Sequence, residues 1–167
     1  MMERTPVIYR RARSADVAGV AALINGYAAE RVMLPKTADA IALALDDFIV
    51  ATDRHGRILG CAALREYAPS LAEVSSVAVA RTVQGLGVGR ALVGRVEALA
   101  AARGITEVFA LTLSTVFFES MRYRVVDRAQ FPEKICRDCV VCPRRMACDE
   151  ICVAKSVDDA RPIERVA

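Results

Sequence analysis

The chain has 167 residues, of which 54% are hydrophobic and 26% charged, so a globular domain with a sizeable core is expected rather than a disordered chain. The net charge of +3 is mild, and basic residues are spread along the sequence with no aromatic-interleaved stripe, which argues against a nucleic-acid partner. No apolar run is long enough to span a bilayer, and the charged opening MMERTPVIYRRAR lacks the apolar core of a signal peptide. No membrane partner and a cytoplasmic location are therefore the default expectations.

Residues 7–12, VIYRRA, read as a short strand. Ser14 is a candidate N-cap, with Asp16 in the first turn of a helix whose Val17, Val20, Ala21, Ile24, Tyr27 and Ala28 share one face. Pro35 breaks that pattern, Lys36 follows in a loop, and Thr37 can cap a second helix, ADAIALAL. Residues 48–51 form the next strand, Asp53-Arg54-His55-Gly56 a hairpin turn, and residues 58–64 a further strand in which Gly60 marks a bulge. His55 is the only histidine and sits on a turn tip among charges, which removes histidine-dependent triads and makes a histidine base a poor candidate.

The most informative stretch is EVSSVAVARTVQGLGVGRAL, from Glu73 onward. Val74, Val77 and Val79 give it the β-branched enrichment of a strand, with Ala78 between the last two. Arg81, Thr82 and Val83 make a link to Gln84-Gly85-Leu86-Gly87-Val88-Gly89, and a helix opens there and runs toward Ala102, with Gly104 where it ends. The first amides of a helix lack intrahelical partners and carry positive potential, and glycines let a phosphate approach them. The loop is therefore a candidate pyrophosphate cradle; the plain alternative is a helix entry that uses glycine for packing. A Walker A loop is excluded because no Gly-Lys-Ser/Thr follows. A Rossmann fingerprint is excluded because the glycines are spaced G-x-G-x-G and no acidic residue stands about 20 positions on at the end of a second strand.

After this helix come a strand over residues 107–112, a short helix TVFFES with Ser114 as candidate cap, a strand over 123–126 and a last strand over 151–155. The tail from Ser156 is charged, contains Pro162 and reads as loosely ordered. The alternation is α/β with antiparallel hairpins early in the chain. Of the six cysteines, Cys61 and Cys152 lie in apolar runs and read as core residues. Cys136-x-x-Cys139-x-x-Cys142, then Cys148, has metal-like spacing. Four thiolates could hold zinc; an iron–sulfur run fits less well, because its last gap is too long. A metal-free loop or a redox-sensitive thiol cluster are the other readings.

Gln84-x-x-Gly87-x-Gly89, after VSSVAVA and before Arg90-Ala91-Leu92, resembles the acetyl-coenzyme A loop Q/R-x-x-G-x-G/A of the GNAT N-acetyltransferase superfamily. That resemblance implies one GNAT domain over residues 5–155, a mixed twisted sheet flanked by helices. It also implies that amides from Gln84, Gly85, Leu86, Gly87, Val88, Gly89 and Arg90 hold the coenzyme's pyrophosphate. The strand at Val77, Ala78 and Val79 pairs with its pantetheine arm, and Phe117 packs beside that arm or the core. Glu73 is the first candidate general base, with a surface strand glutamate as its competitor. Many GNAT enzymes have a tyrosine acid where this chain has Phe118, and glycine where it has Arg122.

A narrower resemblance is to the short bacterial N-acetylglutamate synthases. Their pattern ALT-x-x-x-x-FFE, P-x-K-(I/V)-W, D-C-x-x-C-P and C-D-E is met by Ala110-Leu111-Thr112, Phe117-Phe118-Glu119, Pro132-Glu133-Lys134-Ile135, Asp138-Cys139-Val140-Val141-Cys142-Pro143 and Cys148-Asp149-Glu150. Cys136 replaces the tryptophan, so the related pattern carries only three of the four cysteines. The resemblance implies L-glutamate as acceptor, the first step of arginine biosynthesis, with Lys134, then Lys36 and Arg31, as anchors for its carboxylates. A homodimer is a candidate assembly. A GNAT enzyme for another small-molecule or protein amine, and a non-enzymatic metal or redox sensor, are the alternatives.

Overall fold

The structure, a computed structural model, describes residues 6–157. Strand β1 (Ile8–Arg11) leads through a 3-10 turn, Ser14–Asp16, into helix α1 (Val17–Ala29). Ser14 lies inside that turn and makes no cap. Asp16 does the work instead: its carboxylate accepts the Arg13 N–H at 2.7 Å and pairs with Arg10 at 2.6 Å. Thr37 caps helix α2 (Ala38–Leu43) by accepting the Ala40 N–H at 3.1 Å. Strand β2 (Phe48–Thr52) turns through Gly56 at φ +80 into β3 (Ile58–Ala68), which continues past Leu64. Asp53 Oδ1 closes the turn by accepting the N–H groups of His55 and Arg57 at 2.8 and 3.0 Å.

Strand β4 (Leu71–Val79), helix α3 (Val88–Ala102), strand β5 (Glu107–Thr112) and helix α4 (Thr115–Glu119) follow. Ser114 does not cap α4 through its side chain; Thr112 Oγ1 accepts the Ser114 N–H instead, at 2.9 Å. A two-residue strand β6 (Arg124–Val125), helix α5 (Pro132–Arg137) and strand β7 (Ile151–Ser156) complete the order. The mixed seven-stranded sheet runs β1-β2-β3-β4-β5-β7-β6, with β4 and β5 parallel and β1–β2, β2–β3, β5–β7 and β6–β7 antiparallel. Ser156 belongs to β7, and Val157 is buried and donates its N–H to Thr106 O at 2.9 Å. The loose tail expected from Ser156 therefore does not include Ser156 and Val157, and the rest of that expectation lies outside the described residues.

The chain divides into two compact units, one built from residues up to Leu64 with Val74–Val96, the other from Arg65–Glu73 with residues from Glu97 on. In the first, Val20, Ile24, Ile41, Phe48, Val50, Cys61, Ala63 and Ala78 form the core. Burial pushes the Cys61 thiol up to about 12, so it is an inert packing residue, as its apolar run suggested. Gly60 lies beside a register shift between Ala51 and Thr52, and a Cβ there would stand 2.9 Å from Leu92 Cδ1 and 3.1 Å from Ala78 O. Glycine at that position lets β3 approach β4 and α3 closely. In the second unit the core is Tyr67, Leu71, Phe109, Phe131, Cys152 and Ala154, with Phe109 stacked on Phe131 at 4.4 Å.

Candidate active site

In the first unit, the end of β4 and the start of α3 are joined by the loop expected from the sequence to hold the coenzyme. Ser76, in mid-strand, has φ +53, a left-handed conformation that bends a strand as a bulge does. Its carbonyl accepts the Cys61 thiol at 3.3 Å. The β4–β5 ladder covers only Leu71, Ala72 and Glu73, whereas β4 runs on to Val79. Past Glu73 that side of β4 has no β5 partner among the described residues, so its amides and carbonyls can pair with an extended ligand arm. Gly85 and Gly87 have φ +76 and +83, with open space where a Cβ would stand. Gln84 is fixed by donating to Tyr27 Oη at 2.8 Å and to Val79 O at 3.3 Å, while Arg81 pairs with Glu30. The helix that begins at Val88 then presents its N-terminal end, where the first amides have no partner within a helix, behind an exposed Leu86. These residues fit a pyrophosphate on a flexible arm. Arg31 and Lys36 lie in this unit between α1 and α2, and Asn25 holds the Lys36 backbone through bonds of 2.7 and 3.0 Å.

In the second unit, Glu73 and Lys134 come together although 61 residues separate them. Glu73 is 6% exposed, and its Oε2 accepts from Lys134 Nζ at 2.9 Å and meets Tyr67 Oη at 3.0 Å. Asp138, the C-cap of α5 four residues beyond Lys134, accepts from Lys134 at 3.1 Å, from Arg65 at 2.7 Å and from the Tyr67 hydroxyl. Lys134 also donates to Tyr67 Oη at 3.2 Å, so its three ammonium protons have three protein acceptors. Burial alone would lower the Lys134 pKa, but Glu73 and Asp138 outweigh it and raise the value. Burial raises the Asp138 pKa, and its bonds from Tyr67 and Lys134 reverse that to a net lowering. Tyr67 is pushed well above the usual phenol range, first by burial and then by Glu73, and stays protonated. The guanidiniums of Arg65 and Arg137 lie 5.5 and 5.0 Å from the centre of its ring. A buried carboxylate held this way can take a proton from an amine, and the adjoining cations can receive a carboxylate.

Residues 20–122 match the Acetyltransferase (GNAT) family. The chain belongs to it. An uncharacterized N-acetyltransferase of Chlorobaculum tepidum is 43% identical over 89% of this chain and 95% of its own length. An amino-acid acetyltransferase of Mycobacterium tuberculosis is 33% identical over 79% and 78%. Among solved structures, N-acetylglutamate synthase of Neisseria gonorrhoeae, complexed with coenzyme A and N-acetyl-glutamate, has a TM-score of 0.77 at 22% identity, covering 93% of this chain and 36% of that one. The sheet expected of a GNAT N-acetyltransferase is thus present.

Arg122, the aromatic residues after β5 and the cysteine block take the following places in this GNAT chain. Arg122, which replaces the usual glycine, has φ +69, so the backbone keeps the left-handed turn after α4 that glycine would take without strain. Tyr123 is buried, and its hydroxyl donates to Glu97 at 2.9 Å; with Phe118 packed against it edge-on at 5.0 Å, it is a core residue. Phe117, also edge-on to Phe118, is only partly buried. The four-cysteine zinc site is not assembled: among the described residues no three His, Cys, Asp or Glu side chains are placed to hold a metal ion. Cys136 is exposed on α5, while Cys139, Cys142 and Cys148 are partly buried in the loop that follows. The spacing suggested a site, but among the described residues neither the four cysteines nor any three of them converge on one point. Sequence reasoning missed Tyr27, Arg65, Tyr67 and Asp138. For Asp138 a signal was available: it lies four residues after Lys134, the spacing of side chains on one helix face.

Proposed function

We propose that this chain transfers the acetyl group of acetyl-coenzyme A to the α-amine of L-glutamate, as in the first step of arginine biosynthesis. The observation that carries the reading is the buried Glu73 carboxylate held by Lys134 and Tyr67. The N-acetyl-glutamate complex of the Neisseria synthase and the name of the Mycobacterium relative support the acceptor. The coenzyme supplies the acyl group as a thioester. Amides of Gly85, Leu86, Gly87, Val88, Gly89 and Arg90 hold its pyrophosphate. The backbone of Val77, Ala78 and Val79 aligns its arm and gives the acyl carbonyl an amide dipole. Glu73 removes the proton from the amine, directly or through a water, and so exposes the lone pair that attacks.

In this reading Lys134 is a positioning residue, because its protons are already engaged by Glu73, Asp138 and Tyr67. The carboxylates of the acceptor fall instead to Arg65 and Arg137, with Arg31 and Lys36 as further candidates from the resemblance. Phe118 cannot donate a proton and the Tyr123 hydroxyl is committed to Glu97, so no side-chain acid is assigned to the leaving thiolate. A thiol-release assay with glutamate, glutamine, aspartate, lysine and a polyamine tests the reading. Glutamate is expected to give the highest kcat/KM. Turnover of another amine with none of glutamate would overturn the acceptor and leave the transferase standing.

A further inference from the structure

The cysteine loop, left without a metal, lies directly against the acceptor cluster in sequence. Cys139 follows Asp138, whose carboxylate binds Tyr67, Lys134 and Arg65. Cys139 and Cys142 bracket a 3-10 turn, Cys139–Val141, and the Cys142 N–H donates to Cys139 O at 3.3 Å. Residues joined across such a turn have Cα atoms less than about 7 Å apart. A disulfide needs roughly 4.4–6.8 Å. The pair thus meets the reach requirement without a change of fold. Both thiols are free and partly exposed. Burial, with Cys148 and Cys142 adding to it, raises the Cys139 pKa on balance against the opposing pull of Lys134 and Arg128. Arg128 also donates to Cys148 Sγ at 3.3 Å, so a guanidinium lies against the loop.

We propose that Cys139 and Cys142 form a reversible disulfide, made by a peroxide, that acts on the acceptor cluster through Asp138. One thiolate attacks a peroxide oxygen; the S–O bond forms, the O–O bond breaks, and hydroxide leaves and takes up a proton. The second sulfur then attacks the first, forming the S–S bond and expelling the oxygen as water. Two thiols lose two electrons, and one peroxide becomes two waters. A dithiol reverses the step by exchange. Closing the ring re-sets the backbone at Cys139 and with it the anchor of Asp138. Lys134 then loses one of its two carboxylates, and the hold on Glu73 is altered. The effect on turnover rests on the reading of Glu73 as acceptor-site base; the disulfide itself does not.

The sequence makes the test direct. Trypsin cleaves after Arg137 and Arg144, so fragment 138–144 carries both thiols, and Cys148 falls on a separate fragment, 146–155. The full-length protein is treated with hydrogen peroxide, alkylated, digested and weighed, with and without dithiothreitol. The expected result is fragment 138–144 lighter by two hydrogens and closed to alkylation, reversed by dithiothreitol and absent in Cys142→Ser. Turnover is expected to fall about tenfold, the equivalent of one charged hydrogen bond, in the parent protein but not in Cys142→Ser. Thiols that stay open to alkylation in the folded protein, or Cys139 found linked to fragment 146–155, overturn the pairing. A disulfide that forms without altering turnover overturns its action through Asp138. Absence of turnover with any amine, with the disulfide intact, counts against the acetyltransferase reading alone.

Discussion

A carboxylate that is 6% exposed tolerates its charge only with every partner in place. Glu73 has Lys134 and Tyr67, and the cluster is closed by Asp138 and Arg65. Glu73→Gln keeps the shape and removes the base, so kcat is expected to fall about 100-fold while the KM for acetyl-coenzyme A stays near its parent value. Steady-state kinetics with both substrates varied would decide it; an unchanged kcat would remove Glu73 from the chemistry. Asp16 offers a test of stability. Its bond from Arg10 holds its pKa below the usual 3.8, so its contribution is present above pH 3.8 and is lost as pH falls through the folded value. Asp16→Asn is expected to cost about 2 kcal/mol at neutral pH, and less in acid, by urea denaturation at the two pH values. Glu73 and Lys134 were legible because each stands in a motif. Tyr67 and Arg65 were not, because nothing in a linear sequence announces that residues 71 and 73 positions apart share Asp138.

Elements were read best where period and punctuation agree. Strand β5 and helix α3 keep their expected bounds, since an unbroken apolar run between Glu107 and Thr112 in one case and Gly104 in the other fix their ends. Helix α5 was missed, because Pro132 opens only six residues, too few to show a period. The left-handed Ser76 was also invisible: serine is not the residue such a backbone selects. Two substitutions test the close approaches. Gly60→Ala puts a carbon against Leu92 and the Ala78 carbonyl and is expected to cost about 1–3 kcal/mol, seen as a lowered Tm. Arg122→Gly relieves a left-handed residue at the end of α4 and is expected to gain about 1 kcal/mol by the same measurement. A loss instead would mean that the Arg122 side chain contributes more than its backbone costs.

For the molecule as a whole, strand and helix alternation indicated an α/β fold, the resemblance of the Gln84–Gly89 loop to the GNAT pattern implied its sheet, and residues 20–122 match that family. The division into two units was not legible, because β3 and β4 each contribute residues to both and no linker composition marks the change. A ligand that binds only the folded chain raises its stability by mass action. Coenzyme A at a hundred times its Kd is expected to add about 2.7 kcal/mol, read as a rise in Tm that grows with ligand concentration. Gly87→Ala, which strains a residue at φ +83, should reduce that rise at a given coenzyme concentration.

The contacts of Tyr67 also set a count of protons. A phenol has one hydrogen to give, yet its oxygen meets two carboxylates, Glu73 and Asp138, and accepts a hydrogen bond from Lys134. The hydrogen serves one carboxylate at a time, so Tyr67 joins Glu73 and Asp138 into a single unit in which a change at either side chain is felt by the other.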